Sequence, residues 1–212
     1  MYQKQLDALV AYASGDRFKE ELLKAKAQYF GGTGEIFEDD KSFELRMASF
    51  LDFYVFDWKL SPFKRTPAQL YLEESGAQLS AEDQQVLRGL TETHHSLWEV
   101  RKLGKEMVRL RDLFSGKDTD VFERRQLAGL NKGDILEARL VPNDGKFLFS
   151  SAFCFHPEVV RKSILKEIKR LRKTQPEFDR RAFIWSLSNM RLKFERYRNI
   201  AAEQIYAFNR ES

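Results

Sequence analysis

Between His94 and His156, apolar residues recur at every second position, and turn residues break the pattern into short runs. A period of two commits this stretch to strands. Trp98 and Val100 alternate with Glu99 and Arg101, and Val108 and Leu110 alternate with Arg109 and Arg111. Val121-Phe122-Glu123-Arg124 is a weaker third strand. Leu136, Ala138 and Leu140 line one face of a fourth, and Phe147, Phe149, Phe153 and Phe155 one face of a fifth. Gly104-Lys105, Ser115-Gly116-Lys117, Gly133-Asp134 and Pro142-Asn143-Asp144-Gly145 supply the turns between them. Five short strands are too few for two packed sheets, and closing one sheet removes its exposed edges. The expected fold is α+β: a small five-stranded antiparallel β-barrel, SH3-like or OB-like, flanked by N-terminal and C-terminal α-helices. An open curved sheet covered by those helices is the competing geometry.

Residues 1–92 read as helical. Leu6, Leu9, Val10 and Ala13 make one amphipathic face, and Phe18, Leu22, Ala25, Tyr29 and Phe30 a second. Gly31-Gly32-Thr33-Gly34 lacks the Lys-Ser/Thr pair of a phosphate loop and the spacing of a dinucleotide fingerprint, so it reads as a connector. Glu38-Asp39-Asp40 stands before the apolar face Phe43, Met47, Phe50, Leu51, Tyr54, Val55 and Trp58. Capping at the positive end of a helix accounts for that triplet without a metal or an acid/base pair. Thr66-Pro67-Ala68-Gln69 has the spacing of a capping box, and Ser80-Ala81-Glu82-Asp83 opens a further helix. After the strands, Val160, Ile164, Ile168 and Leu171 mark a helix that Thr174-Gln175-Pro176 breaks. A last helix over 177–209 carries Phe183, Leu187, Met190, Phe194 and Tyr197 at heptad-like spacing. The segments 1–92, 93–156 and 157–212 are expected to pack as one compact unit.

Charge is divided along the chain. Residues 1–92 carry a net −5, residues 93–156 a net +2 and residues 157–212 a net +7. Cys154 is the one cysteine, which excludes an internal disulfide framework and suits a reducing compartment. No stretch approaches the ~20 apolar residues that span a bilayer. The first residues lack a signal peptide's apolar run, so the expected location is cytoplasmic.

Little chemistry is legible. Cys154 and His156 share a strand face, and His94 or His95 on a neighbouring strand could complete a metal site, but no second thiolate or zinc spacing is present. The expectation is a non-enzyme with no catalytic residue, no cofactor and no metal.

The block from Phe50 to His156 resembles an uncharacterised family of bacterial proteins. The resemblance rests on the helices Phe50-Leu51-Asp52-Phe53-Tyr54-Val55-Phe56-Asp57-Trp58 and Arg65-Thr66-Pro67-Ala68-Gln69-Leu70-Tyr71-Leu72-Glu73-Glu74. It continues through Leu110-Arg111-Asp112-Leu113-Phe114-Ser115-Gly116 and Ala138-Arg139-Leu140-Val141-Pro142. Some members of that family carry a SEC-C zinc motif, which this chain lacks. The resemblance implies a shared fold and no activity.

Two binding roles remain. The first is an adaptor whose partner-helix face is Phe183, Leu187, Met190, Phe194 and Tyr197, serving an unknown protein or a homodimer. The alternative is nucleic-acid binding. Its cations would be Arg161, Lys162, Lys166, Lys169, Arg170, Arg172, Lys173, Arg180 and Arg181, extended by Arg191, Lys193, Arg196 and Arg198. Exposed barrel residues Arg109, Arg111, Arg124, Arg125 and Arg139 would enlarge that surface. The adaptor is the leading expectation, because the net charge is modest and the aromatics sit at core-like spacing.

Overall fold

The computed structural model describes residues 2–122 and 129–208. Five N-terminal helices come first: α1 Gln3–Ala13, α2 Lys19–Thr33, α3 Phe43–Phe56, α4 Pro67–Ser75 and α5 Ala81–Thr91. Local chemistry sets several of their starts. Thr66 accepts from the Gln69 N–H while the Gln69 side chain accepts from the Thr66 N–H, so α4 opens on a complete capping box with Pro67 in its first turn. Ser80 caps α5 through the Asp83 N–H.

The acidic triplet does not cap α3. That helix starts at Phe43, and Asp40 instead meets Arg196 at 2.6 Å. The glycine run is no connector either. Gly31 and Gly32 lie inside α2, and a Cβ on Gly32 would stand 2.4 Å from the Trp185 ring. The missing side chain lets α2 approach a C-terminal helix.

The strands are β1 His94–Leu103, β2 Met107–Asp112, β3 Asp118–Phe122, β4 Ile135–Asn143 and β5 Lys146–Phe155. They close in the order β1-β2-β3-β5-β4. β1 is long enough to pair with both β2 and β4 and so shuts the barrel. The sheet is mixed rather than purely antiparallel, because β3 runs parallel to β5 where Val121 faces Phe147. This Greek-key order is OB-type rather than SH3-like.

Trp98, Val100, Val108, Leu110, Val121, Leu136, Ala138, Leu140 and Phe149 fill the interior, as the period-two pattern requires. The indole N–H of buried Trp98 donates to the Ala138 carbonyl at 2.9 Å. The fifth strand departs from its expected single face. Its register against β4 shifts between the partners of Ala138 and Leu140. Phe149 fills the barrel and Phe153 packs beside it, whereas Phe147 and Phe155 stay exposed. Of the expected third strand, Glu123 and Arg124 lie outside the described residues.

Behind the barrel come α6 Arg161–Thr174, α7 Arg180–Arg196 and the single turn α8 Ala202–Ile205. The expected helix over 177–209 therefore ends at Arg196. Two hydrophobic cores meet the outside of the barrel. One joins α1–α5 to Val141 and Trp185. The other joins Leu97 and Ile135 to α6, α7 and α8. No helix among the described residues is long and apolar enough to cross a membrane.

Candidate functional site

The outward face of β4 runs Ile135, Glu137, Arg139, Val141. Its ends serve the two cores, and its middle carries two opposite charges between them. Helices cover that middle, so Glu137 is 5% exposed and Arg139 2%. Arg139, expected on the barrel surface, is thus buried.

Each charge is answered by neighbouring elements. Glu137 takes His95 of β1 at 3.0 Å on one oxygen and the Ser188 hydroxyl of α7 on the other. Burial pushes the Glu137 carboxyl up, but the bonds from His95 and Ser188 outweigh it and hold it below the usual range. Arg139 grips Asp57 and the Thr93 hydroxyl, with Asp52 at 3.8 Å. Burial pushes the Asp52 carboxyl up, against the pull of Arg139. Glu99, also on the outside of β1, pairs with Arg161 and Arg101. Arg161, expected as an anion binder, is therefore a clamp between α6 and the barrel, reinforced by its bond to the Gly133 carbonyl.

The histidines weighed for a metal site each have another partner. His94 bonds Asp112 at 2.9 Å, His95 bonds Glu137, and His156 lies buried against the Tyr206 hydroxyl at 3.0 Å. Burial pushes Asp112 up, yet bonds from His94, the Ser115 and Phe114 N–H groups and Ser96 bring it down to about 2. Burial lowers His156 to about 4 and raises the Cys154 thiol to about 12, so that thiol is a poor nucleophile and a poor ligand. Among the described residues, no group of three His, Cys, Asp or Glu side chains is placed to hold a metal.

The candidate cations divide into engaged and free. Arg109 forks onto Asp120 with both bonds at 2.7 Å, and Arg111 forks onto Asp118 one rung along. The β2–β3 surface is therefore a ladder of neutralised pairs. Arg170 holds Glu167, Arg191 reaches the Phe155 carbonyl and Glu195, and Arg196 holds Asp40. Arg124 and Arg125 lie outside the described residues.

On α6, Lys162, Lys166, Lys169, Arg172 and Lys173 are exposed, and none pairs with a carboxylate among the described residues. Spacings of four, three and four put the four lysines on one stripe. At 1.5 Å per residue the stripe is ~17 Å long. The opposite face of α6, through Ile164, Ile168 and Leu171, is buried in the second core. Arg180 and Arg181 open α7, exposed, stacked over Phe114 at 5.7 Å and Phe53 at 5.6 Å.

The expected partner-helix face turns inward. Phe183 and Leu187 belong to the second core, with Met190 and Phe194 packed against it. Tyr197 alone of that set is exposed.

Sequence reasoning missed the buried polar layer, although a signal for it exists. Asp52 and Asp57 interrupt the otherwise apolar run from Phe50 to Trp58, with no Lys or Arg four residues away. Carboxylates in such a run need a cation from another element, and Arg139 supplies it.

Together these features define a small OB-type barrel wrapped by helices, with a largely buried charged layer at the interface and an exposed lysine stripe outside. The model of a family of unknown function (DUF7986) matches residues 16–187, and the chain belongs to that family. No curated protein and no solved structure matches the chain.

Proposed function

We propose that this chain is a non-enzymatic binding protein whose partner is a nucleic acid, held through α6. One observation carries the reading: Lys162, Lys166, Lys169 and Lys173 form a continuous exposed stripe with no carboxylate partner among the described residues. A solvated surface usually mixes signs, as the Arg109–Asp120 and Arg111–Asp118 ladder across β2 and β3 of this same protein does. The stripe does not, and a row of free ammonium groups suits a row of phosphates. The non-enzymatic part of the reading rests on the histidines, each committed to a carboxylate or to Tyr206.

An adaptor or a homodimer built on the Phe183–Tyr197 face is less favoured, since Phe183 and Leu187 already pack inside the chain. A protein partner would have to be met elsewhere, and the acidic N-terminal third is the surface with charge to offer.

The test is retention on immobilised heparin, followed by salt titrations of binding to labelled single- and double-stranded DNA and RNA. Four neutralised phosphates give a slope of log Kobs on log salt of about −3 on single strands. Replacing Lys166, Lys169 and Lys173 by Glu should abolish binding with the fold intact. Absence of binding at low salt, or binding insensitive to salt, would overturn the proposal.

A further inference from the structure

Arg46 of α3 is 7% exposed and has no carboxylate at ion-pair distance among the described residues. Its Nη2 donates to the Thr33 carbonyl at 2.6 Å and its Nη1 to the Ser188 carbonyl at 3.2 Å, while Nε has no hydrogen-bond partner. Carbonyl dipoles satisfy donors but do not cancel a charge, and the Asp40 carboxylate acts on Arg46 only from beyond ion-pair distance; a buried cation with so little compensation is costly. Arg139, also buried, has Asp57 and Asp52.

Arg46 lines a cleft between α3 and α7 above β5, with a volume of about 90 Å³. That holds several waters or one small organic molecule. Arg191 lines the same cleft, and its nearest carboxylate is Glu195 at 3.7 Å. The carboxylates there are already in use: Glu137 by His95 and Ser188, and Glu195 by the Ser42 N–H and hydroxyl. The remaining lip is apolar, with Leu45 44% and Phe155 37% exposed.

We propose that this cleft binds a small organic monocarboxylate. The carboxylate lies between the guanidiniums of Arg46 and Arg191 and completes the missing charge. A short apolar arm covers Leu45 and Phe155. Glu137 and Glu195 disfavour a dianion, and the serine hydroxyls of the cleft are already donating to Leu45, Glu137 and Glu195, so a phosphate would find too few donors. The apolar lip favours an acid with a hydrocarbon arm over a bare inorganic anion.

The experiment is a titration of the full-length ¹⁵N-labelled protein followed at the Arg46 Nε–H resonance. Butanoate should move that resonance saturably and bind more tightly than acetate. Butanamide, equal in shape and uncharged, should not bind. Ser49→Leu narrows the cleft without touching Arg46 and should weaken butanoate binding at least tenfold with the fold retained. The ligand series on the unaltered protein decides the matter should that variant fold poorly. No saturable shift, equal binding of butanamide, or a response to phosphate alone would each overturn the assignment.

Discussion

The Ser188 hydroxyl on α7 and the His95 imidazole on β1 meet on the two oxygens of one carboxylate, Glu137 of β4. This joins a C-terminal helix to two strands at a carboxylate that is almost fully buried. Removing one partner of a buried charged set leaves the others uncompensated. Glu137→Ala should cost about 3–5 kcal/mol, read as a lower midpoint in urea unfolding. Ser188→Ala should cost less, about 1–3 kcal/mol, because His95 remains on the carboxylate. An equal cost for the two variants would show that Glu137 is not the hub.

His156 makes stability depend on pH. Burial holds it near 4 in the folded chain, from an ordinary 6.5, with Glu137 favouring its charge and Arg191 opposing it. Between those values the unfolded chain binds the proton and the folded chain does not, so stability is full above pH 6.5 and falls as pH drops toward 4. The full loss is on the order of 3 kcal/mol. Asp112 acts lower. Its folded carboxyl lies near 2 against an ordinary 3.8, so its contribution is present above 3.8 and disappears as pH falls toward 2. Urea midpoints from pH 7 to 4.5 should decline in the natural protein and flatten in His156→Gln. A decline unchanged in that variant would assign the effect to another group.

Much of this architecture is written in local pattern. The barrel interior follows from Trp98, Val100, Leu110, Leu136 and Leu140 at every second position, and the start of α4 from Thr66 and Gln69 three apart. What pattern cannot show is which outward faces are covered. Glu137 and Arg139 have the alternation of a half-exposed strand, but helices remote in sequence bury them. Heptad spacing at Phe183 and Leu187 fits a second copy as well as it fits this chain's own barrel, because periodicity identifies a buried face and not what buries it. Charge fails similarly: Arg109, Arg111 and Arg161 resemble the α6 lysines in composition, and only the fold assigns them carboxylates.

Glycine supplies close approach at Gly89. In α5 its Cα faces β4 so closely that a Cβ would stand 2.3 Å from the Pro142 carbonyl oxygen. Neither backbone can yield locally, so Gly89→Ala should push α5 off the barrel, at a cost of about 1–3 kcal/mol, although alanine is the better helix former. Gly32→Ala meets the buried Trp185 ring, a side chain that can turn about its own torsions, rather than a backbone atom, and should cost less. Thermal unfolding of the two variants tests the order, and a neutral Gly89→Ala would refute the contact.

The two classes of arginine and lysine give the sharpest test of the nucleic-acid reading. Arg109 is exposed and Arg111 half-buried, but each is forked onto an aspartate of β3, so little of their charge is available to a phosphate. Lys166 and Lys169 have no such partner among the described residues. Arg109→Ala with Arg111→Ala should therefore leave affinity for single-stranded RNA and its salt slope nearly unchanged. Lys166→Ala with Lys169→Ala should reduce the magnitude of the slope by about 1.4, two phosphate contacts at 0.7 each. Replacing Asp118 and Asp120 by Ala frees the arginines and should raise affinity and steepen the slope. Were the β2–β3 surface the contact, the first pair would weaken binding and the second would leave it unaffected.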